Sequence, residues 1–327
     1  MRSKVLSAAA CLMIAACGTA KSPVPGESAG HPQGMVSINN RTVSYGSLQV
    51  EVDGLVRAAV PGVDGVAVLT ESAASGATES GTELRTLTFY GSNGEVLRVV
   101  DRVLGIPLGD PHSGTVAWTA ATDGGVLVQA WDFGSGPILT AKGAPRWDGL
   151  RVTAVDDRTV YFGNMDDSVF SWKTDANEVS DGPLGLLAHA PGLLTDVAGG
   201  SAFVMNSQSS RVVDLSGNVL WKTSAWSWGT FNDAGSRVLV VAKSGTAAVV
   251  DSGTGKAVPD VAGLAQLRKV VAVQPLADGG FAVLDAGETG AAGTIYFCGI
   301  RECAKAGASE VVLQPNAFGQ LLEMVST

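Results

Sequence analysis

A Val-rich strand followed by a Gly- and Asp-rich turn returns about every 40 residues, and this recurrence limits the fold more than any other feature. The stretch Gly229 to Val258 shows the unit most fully. It reads as four short strands, Trp228 to Phe231, Arg237 to Ala242, Ala247 to Asp251 and Lys256 to Val258. The breaks are Asn232-Asp-Ala-Gly, Lys243-Ser-Gly and Asp251-Ser-Gly-Thr-Gly, turn compositions in which Gly takes φ > 0 and Asp or Asn bonds its own backbone. Val238-Leu-Val-Val-Ala is apolar on both faces, as in a sheet covered on each side by another sheet. One unit cannot bury both faces alone, so copies must flank it.

The second strand recurs at Val66, Val116, Val160, Ala202, Val238 and Phe281, with spacings of 50, 44, 42, 36 and 43 residues. The third strand and its turn recur from Thr86, Val128, Val169, Arg211 and Ala248. A four-strand unit with this period is the pattern of a propeller blade, so the expected fold is an all-β propeller, with seven blades expected and six or eight as alternatives. The chain ends resemble parts of one more blade. Val311-Val-Leu-Gln-Pro parallels Val271-Ala-Val-Gln-Pro, and Thr42 to Val52 parallels Thr86-Leu-Thr-Phe-Tyr-Gly-Ser-Asn-Gly-Glu-Val. The expectation is therefore closure by two strands from each end, which removes exposed edges. Forty-two glycines suit short strands and turns better than helices; Pro183 to Leu194 is the best place for a short helical turn. A chain with 46% hydrophobic and 16% charged residues can bury a large core.

Residues 1–16 carry Arg2 and Lys4 before an apolar run from Val5 to Ala16, too short to cross the ~30 Å hydrocarbon layer, and read as an export signal. Ile14-Ala15-Ala16-Cys17-Gly18 resembles the lipobox of bacterial lipoproteins, with Ile at the first position in place of the commoner Leu. The resemblance implies that Cys17 receives a diacylglyceryl group and becomes the mature N-terminus, anchoring the protein to the outer face of the cell membrane; the alternative is an ordinary signal with an incidental cysteine. Residues 17–34 form the lipidated cysteine and a Gly-, Ser- and Pro-rich tether, and 35–327 the propeller domain. Cys11 leaves with the signal. Cys298 and Cys303 bracket a hairpin turn in an oxidising compartment and are expected to form a disulfide worth about 2 kcal/mol; a redox pair or metal clip would need a nearby partner such as a histidine.

Asp214-Leu-Ser-Gly-Asn-Val-Leu-Trp221 resembles the blade motif of quinoprotein-type (PQQ-like) propellers, and Asp251-Ser-Gly-Thr-Gly-Lys256 repeats part of it. The resemblance covers most of residues 35–327 as architecture, and exported lipoprotein propellers of this kind include scaffold subunits of envelope assembly machines. The dehydrogenases among them need a calcium-binding carboxylate set, a cofactor-stacking tryptophan and usually adjacent cysteines. No two cysteines are adjacent here, so that redox activity does not carry over and no cofactor is expected. Asp214, Gly217 and Trp221 then serve turns and blade-to-blade packing.

A net charge of −9 without a basic run disfavours nucleic-acid binding. His112 and His189 lack metalloprotease spacing, no metal is expected, and neither a nucleophile elbow nor a phosphate loop occurs. The pairs Asp156-Asp157 and Asp166-Asp167 read by default as solvated turn residues. Loops that follow second strands and loops that enter the next blade share one face of such a ring. That face would gather Trp147, Asn164, Asp166, Asp167, Asn206, Trp226 and Trp228, a set suited to a protein or carbohydrate ligand, since rigid rings give contact area at low entropic cost. Trp226 and Trp228 could instead seal adjacent blades; Trp221, ending a strand, should be mainly buried. The expected function is a monomeric, non-catalytic binding or scaffold module of the cell envelope. The alternative is a propeller hydrolase or lyase acting on polysaccharide, which would need a carboxylate pair with perturbed pKa values converging at a channel mouth.

Overall fold

The computed structural model describes residues 35–39, 41–71, 84–110, 112–133, 136–142, 144, 149–163, 169–176, 178–180, 192–206, 208–258, 261–276, 278–286, 294–299, 301–308 and 312–313. The chain opens with a hairpin series, β1 (Val36–Asn39), β2 (Thr42–Tyr45) and β3 (Leu48–Glu51). Next come β4 (Val56–Gly62), β5 (Gly65–Glu71), β6 (Arg85–Gly91) and the long β7 (Val96–Asp110), then β8 (Thr115–Thr122), β9 (Gly125–Asp132) and β10 (Leu139–Thr140). Three further meanders follow: β11 (Arg151–Asp156) to β14 (Glu178–Ser180) through β12 (Thr159–Gly163) and β13 (Val169–Lys173); β15 (Leu193–Ala198) to β18 (Val219–Thr223) through β16 (Ser201–Met205) and β17 (Ser210–Asp214); and β19 (Trp228–Phe231), β20 (Arg237–Val241) and β21 (Ala247–Asp251). The last is β22 (Val270–Pro275), β23 (Phe281–Asp285), β24 (Thr294–Cys298) and β25 (Cys303–Ala308), before β26 (Val312–Leu313).

These strands form six antiparallel sheets, one of them seven-stranded from β4 to β10. That sheet is two meanders sharing β7. Its first half pairs with β6 and its second half with β8, and the register breaks between Leu104 and Leu108. Arg102 and Gly105 take positive φ at the changeover. Seven meanders result, and the first strand of each one touches the start of the next around a closed circuit. All six second strands expected from the repeat, and the five third strands, are in place. Two details differ. Lys256 to Val258 makes only an isolated bridge, Ala257 to Val250, and not a full fourth strand. Of Pro183 to Leu194, the part up to Pro191 lies outside the described residues, whereas Leu193 and Leu194 begin β15.

Closure also departs from the expected two-plus-two arrangement. The closing sheet has the order β26-β1-β2-β3, three strands from the N-terminal side and one from the C-terminal side. Val36-Ser-Ile-Asn turns within two residues into Thr42, so it pairs with β2 before anything else can, while Ser37 and Ile38 meet Leu313 and Val312. Short hairpins form ahead of long-range pairings because they close less chain.

An apolar cluster lies between each successive pair of meanders, and each second strand is buried on both faces. Phe89, Trp118 and Trp131 fill the first junction, with ring centroids 5.7 Å and 4.8 Å from Phe89. Phe133 lies directly against the Cα atoms of Gly62 and Gly65, where any side chain would collide with its ring. Four first strands, β4, β11, β15 and β22, carry a bulge at the same place near their start. In two of them the extra residue is a threonine, Thr153 or Thr195, whose hydroxyl donates to the carbonyl of Tyr161 or Phe203. Bulges increase twist and re-aim the side chains that follow. Cys298 and Cys303 are opposed in β24 and β25 and joined by a disulfide.

The quinoprotein-type motif residues have the structural roles expected of them. Asp214 accepts N–H bonds from Ser216 and Asn218 across a turn whose Gly217 has φ 89°. Trp221 is half-buried, less than expected for a strand-ending tryptophan. Its ring covers Gly255 of the next meander and its Nε1 donates to the Ser252 carbonyl at 2.7 Å.

Candidate functional site

First strands all run in one direction around the ring, so their C-terminal ends line one mouth. Asp110 ends β7 and Asp156 ends β11, while Asp196 lies in β15 just after its bulge. From the loop after β7, His112 Nε2 meets Asp233 Oδ2 at 2.5 Å in the loop after β19, a link between loops three meanders apart. The bond to Asp233 raises the His112 pKa, burial opposes that, and Asp110 adds to it.

The three mouth aspartates are each part-exposed and differ in their partners. Asp196 accepts N–H bonds from Val197 and from Phe231 of the following meander, at 2.9 and 2.7 Å. Burial pushes its carboxyl up to about 7 against those two bonds, with the Asp156 charge adding to the rise. Asp156 is partly buried, and its carboxyl is pushed up to about 6, first by burial and then by the charges of Asp110 and Asp157. It stands where the chain turns back through only Asp157 and Arg158, both at positive φ (40° and 60°). A two-residue hairpin of this kind usually takes Asn-Gly, and its shortness holds Asp156 at the rim.

From Asp156 a groove of about 540 Å³ lies between the β11–β14 and β15–β18 meanders. Asp157 and Asp175 add two more carboxylates, Lys173 supplies one ammonium group, and Leu215 forms the wall from the β15–β18 meander. Tyr161 lines the groove from β12 with only 5% of its surface exposed. Burial and then the Asp156 charge push its phenol up to about 12, and its hydroxyl has no hydrogen-bond partner among the described residues. No group of three His, Cys, Asp or Glu stands together as metal ligands among the described residues.

Of the residues anticipated from the sequence, Asn206, Trp226 and Trp228 lie toward the opposite ends of the strands. Trp147, Asn164, Asp166 and Asp167 are outside the described residues. Asn206 is exposed, and its Oδ1 accepts bonds from the Gln208 and Ser209 amides in its own turn. Trp226 is half-buried against the cluster containing Phe203 and Phe231. Trp228 was expected at the surface and is instead 4% exposed, packed with Leu239 and Phe281. It opens β19, an inner strand, and a ring placed there points into the junction rather than out of a loop. Sequence reasoning read Asp156 as a solvated turn residue and did not single out Tyr161 for a functional role. The available signal was the aspartate recurring near the ends of first strands, at Asp110, Asp156 and Asp196.

No protein-family model matches the chain, and no curated protein matches it in sequence. Among solved structures it is similar to the β-propeller domain of Cps50 (Swd1) from Myceliophteria thermophila, at 12% identity and a TM-score of 0.50, over 80% of this chain and 95% of that one. The chain is a β-propeller. Other similar structures are BamB from Moraxella catarrhalis, at 15% identity over 86% of each chain with a TM-score of 0.46, and TolB from Acinetobacter baumannii, at 12% identity over 85% of this chain and 64% of that one with a TM-score of 0.42.

Proposed function

We propose that this propeller is exported, anchored by a lipid on Cys17 to the outer face of the cell membrane, and acts there as a non-catalytic binding or scaffold module. Its residues 1–34 support the address: a short apolar signal, a cysteine after Ala15-Ala16, and a tether with almost no large apolar side chain. The observation that carries the binding reading is the inequality of the two mouth carboxylates with raised pKa values. Asp196 is committed to the Val197 and Phe231 amides, one on each carboxylate oxygen, and does not line the groove. Asp156 lines the groove, together with its chain neighbour Asp157 and with Asp175. A glycosidase pairs a raised-pKa acid with a second carboxylate across the bond it breaks. The other raised carboxyl here, Asp196, is held by two amides outside the groove, and carboxylates gathered with hydroxyl and ammonium groups can hold a ligand without cleaving it.

Two experiments test the two halves of this reading. Cys17→Ser should move the protein from the membrane pellet to the soluble envelope fraction; a mutant that is cleaved normally and still pellets would show that another region holds lipid. Cell-wall polysaccharide incubated with the purified protein should be recovered intact at pH 5 to 7. Turnover abolished by Asp156→Asn would replace the binding reading with the hydrolase.

A further inference from the structure

We infer that the groove beside the acidic mouth takes an organic cation, an ammonium or guanidinium group on an extended stem, with its charge at Asp156 and Asp157 and its stem along Leu215. This rests on the binding reading above and names the ligand for the same groove.

Charge points to the sign of the ligand. Three carboxylates, Asp156, Asp157 and Asp175, line the cavity against the single ammonium of Lys173, and no ion pair within 4 Å joins Lys173 to any of them among the described residues. Asp156 is also faced by Asp110 from β7 and by Asp196 from β15. Asp156, partly buried and in no ion pair among the described residues, holds its ionised form at a cost that a bound cation would reduce. An anion would meet the same charges with the opposite sign.

Tyr161 points to a ligand with N–H donors. Its ring is almost wholly buried in the groove wall, and its hydroxyl has no hydrogen-bond partner among the described residues. A phenol oxygen there can accept from an ammonium or guanidinium while the carboxylates beside it take the remaining donors. Size argues against a bare ion. About 540 Å³ falls in the range of small-molecule sites, and the described residues offer no three-ligand metal set. The same cation chemistry could come from a free polyamine or from a Lys or Arg side chain of a partner protein.

The test is calorimetric titration of the full chain with four probes: spermidine, Nα-acetyl-lysine amide, Nα-acetyl-arginine amide and calcium chloride. Saturable binding of any of the first three at pH 7.5 is expected, with affinity reduced about tenfold or more by Asp156→Asn and severalfold by Tyr161→Phe. Lys173→Met should strengthen it severalfold by removing the competing ammonium. Affinity should also fall from pH 7.5 to 5, because Asp156 must be ionised to pair. Spermidine alone binding assigns the source to a free polyamine, and either amide binding assigns it to a protein side chain; both support the proposal. If Asp156→Asn misfolds by circular dichroism, the exposed Asp175→Asn replaces it and should weaken binding at least threefold. Failure of all three organic cations, binding unchanged in the aspartate variants, or calcium binding with the same Asp156 dependence overturns it. Retention of a neutral cell-wall glycan in the same groove would overturn the cation while leaving the binding reading in place.

Discussion

Asp196 shows how a single side chain ties the ring together and makes it sensitive to pH. Its carboxylate reaches across a meander junction to the Phe231 amide, yet burial raises its pKa to about 7. A raised acid leaves stability untouched below its ordinary value, near 3.8, and subtracts from it increasingly as pH climbs to the folded value. Asp156, raised to about 6, acts in the same sense. The raised imidazole of His112 contributes stability that is fully present below 6.5 and lost as pH rises through its folded pKa. Asp214 and Asp251, lowered by bonds from Asn218 and Thr254, act the opposite way, but only as pH falls below the ordinary carboxylate value. Stability should therefore peak at about pH 4 and decline toward pH 8, seen as a falling Tm in calorimetry. Asp196→Asn should flatten that decline and cost about 1–3 kcal/mol, because an amide can accept from one backbone N–H but opposes the other. A Tm that rises from pH 5 to 8 would refute this assignment.

Between elements, the junctions depend on close approach. Gly255 turns with φ 67° directly beneath the Trp221 ring, and a Cβ there would stand 2.7 Å from the indole. Gly255→Ala should cost about 2–3 kcal/mol from overpacking and left-handed strain together, measured by urea unfolding; a loss below 0.5 kcal/mol would mean that the tryptophan simply swings away. The closing sheet sets a different requirement. β26 is the only strand the C-terminal side contributes among the described residues, and it covers the free edge of β1. Removing residues 312–327 should bare that edge, lower Tm by about 5 °C or more and promote self-association, because an unpaired edge is a template for another strand. An unchanged Tm and a monomeric sedimentation profile would show that three strands suffice for closure.

At the scale of the whole molecule, the ring is held by apolar clusters at its junctions and not by charge across its mouth. His112 and Asp233 link loops three meanders apart, but His112 is 61% exposed, and exposed pairs are worth about 0–1 kcal/mol. His112→Gln should leave chemical stability within about 1 kcal/mol while increasing hydrogen exchange at the amides of Ser113 and Ala234. A larger loss of stability would make the bridge a structural tie rather than a surface contact. A ring bound only between neighbours is robust to such losses, because each junction buries its own core.

The repeat was legible because buried strands must be Val-rich on both faces and turns must be Gly- and Asp-rich, whatever the surroundings. Those local requirements marked six second strands, five third strands and the Cys298–Cys303 hairpin in the sequence itself. The turn role of Asp214 was legible for the same reason, since an aspartate bonds amides two to four residues ahead. That both ends close the ring was legible in the repeats at the termini, but the three-to-one split was not. Pairing β1 with β26 depends on which distant strand meets a free edge, and residues about 275 positions apart carry no local signal of it. Nor could the sequence separate Trp226 from Trp228, whose exposure turns on two residues of difference in where β19 begins. The acidic mouth needed the ring most of all. Asp110, Asp156 and Asp196 are separated by about 40 residues each along the chain, and only the curvature of the assembled sheets brings their charges within range of one another.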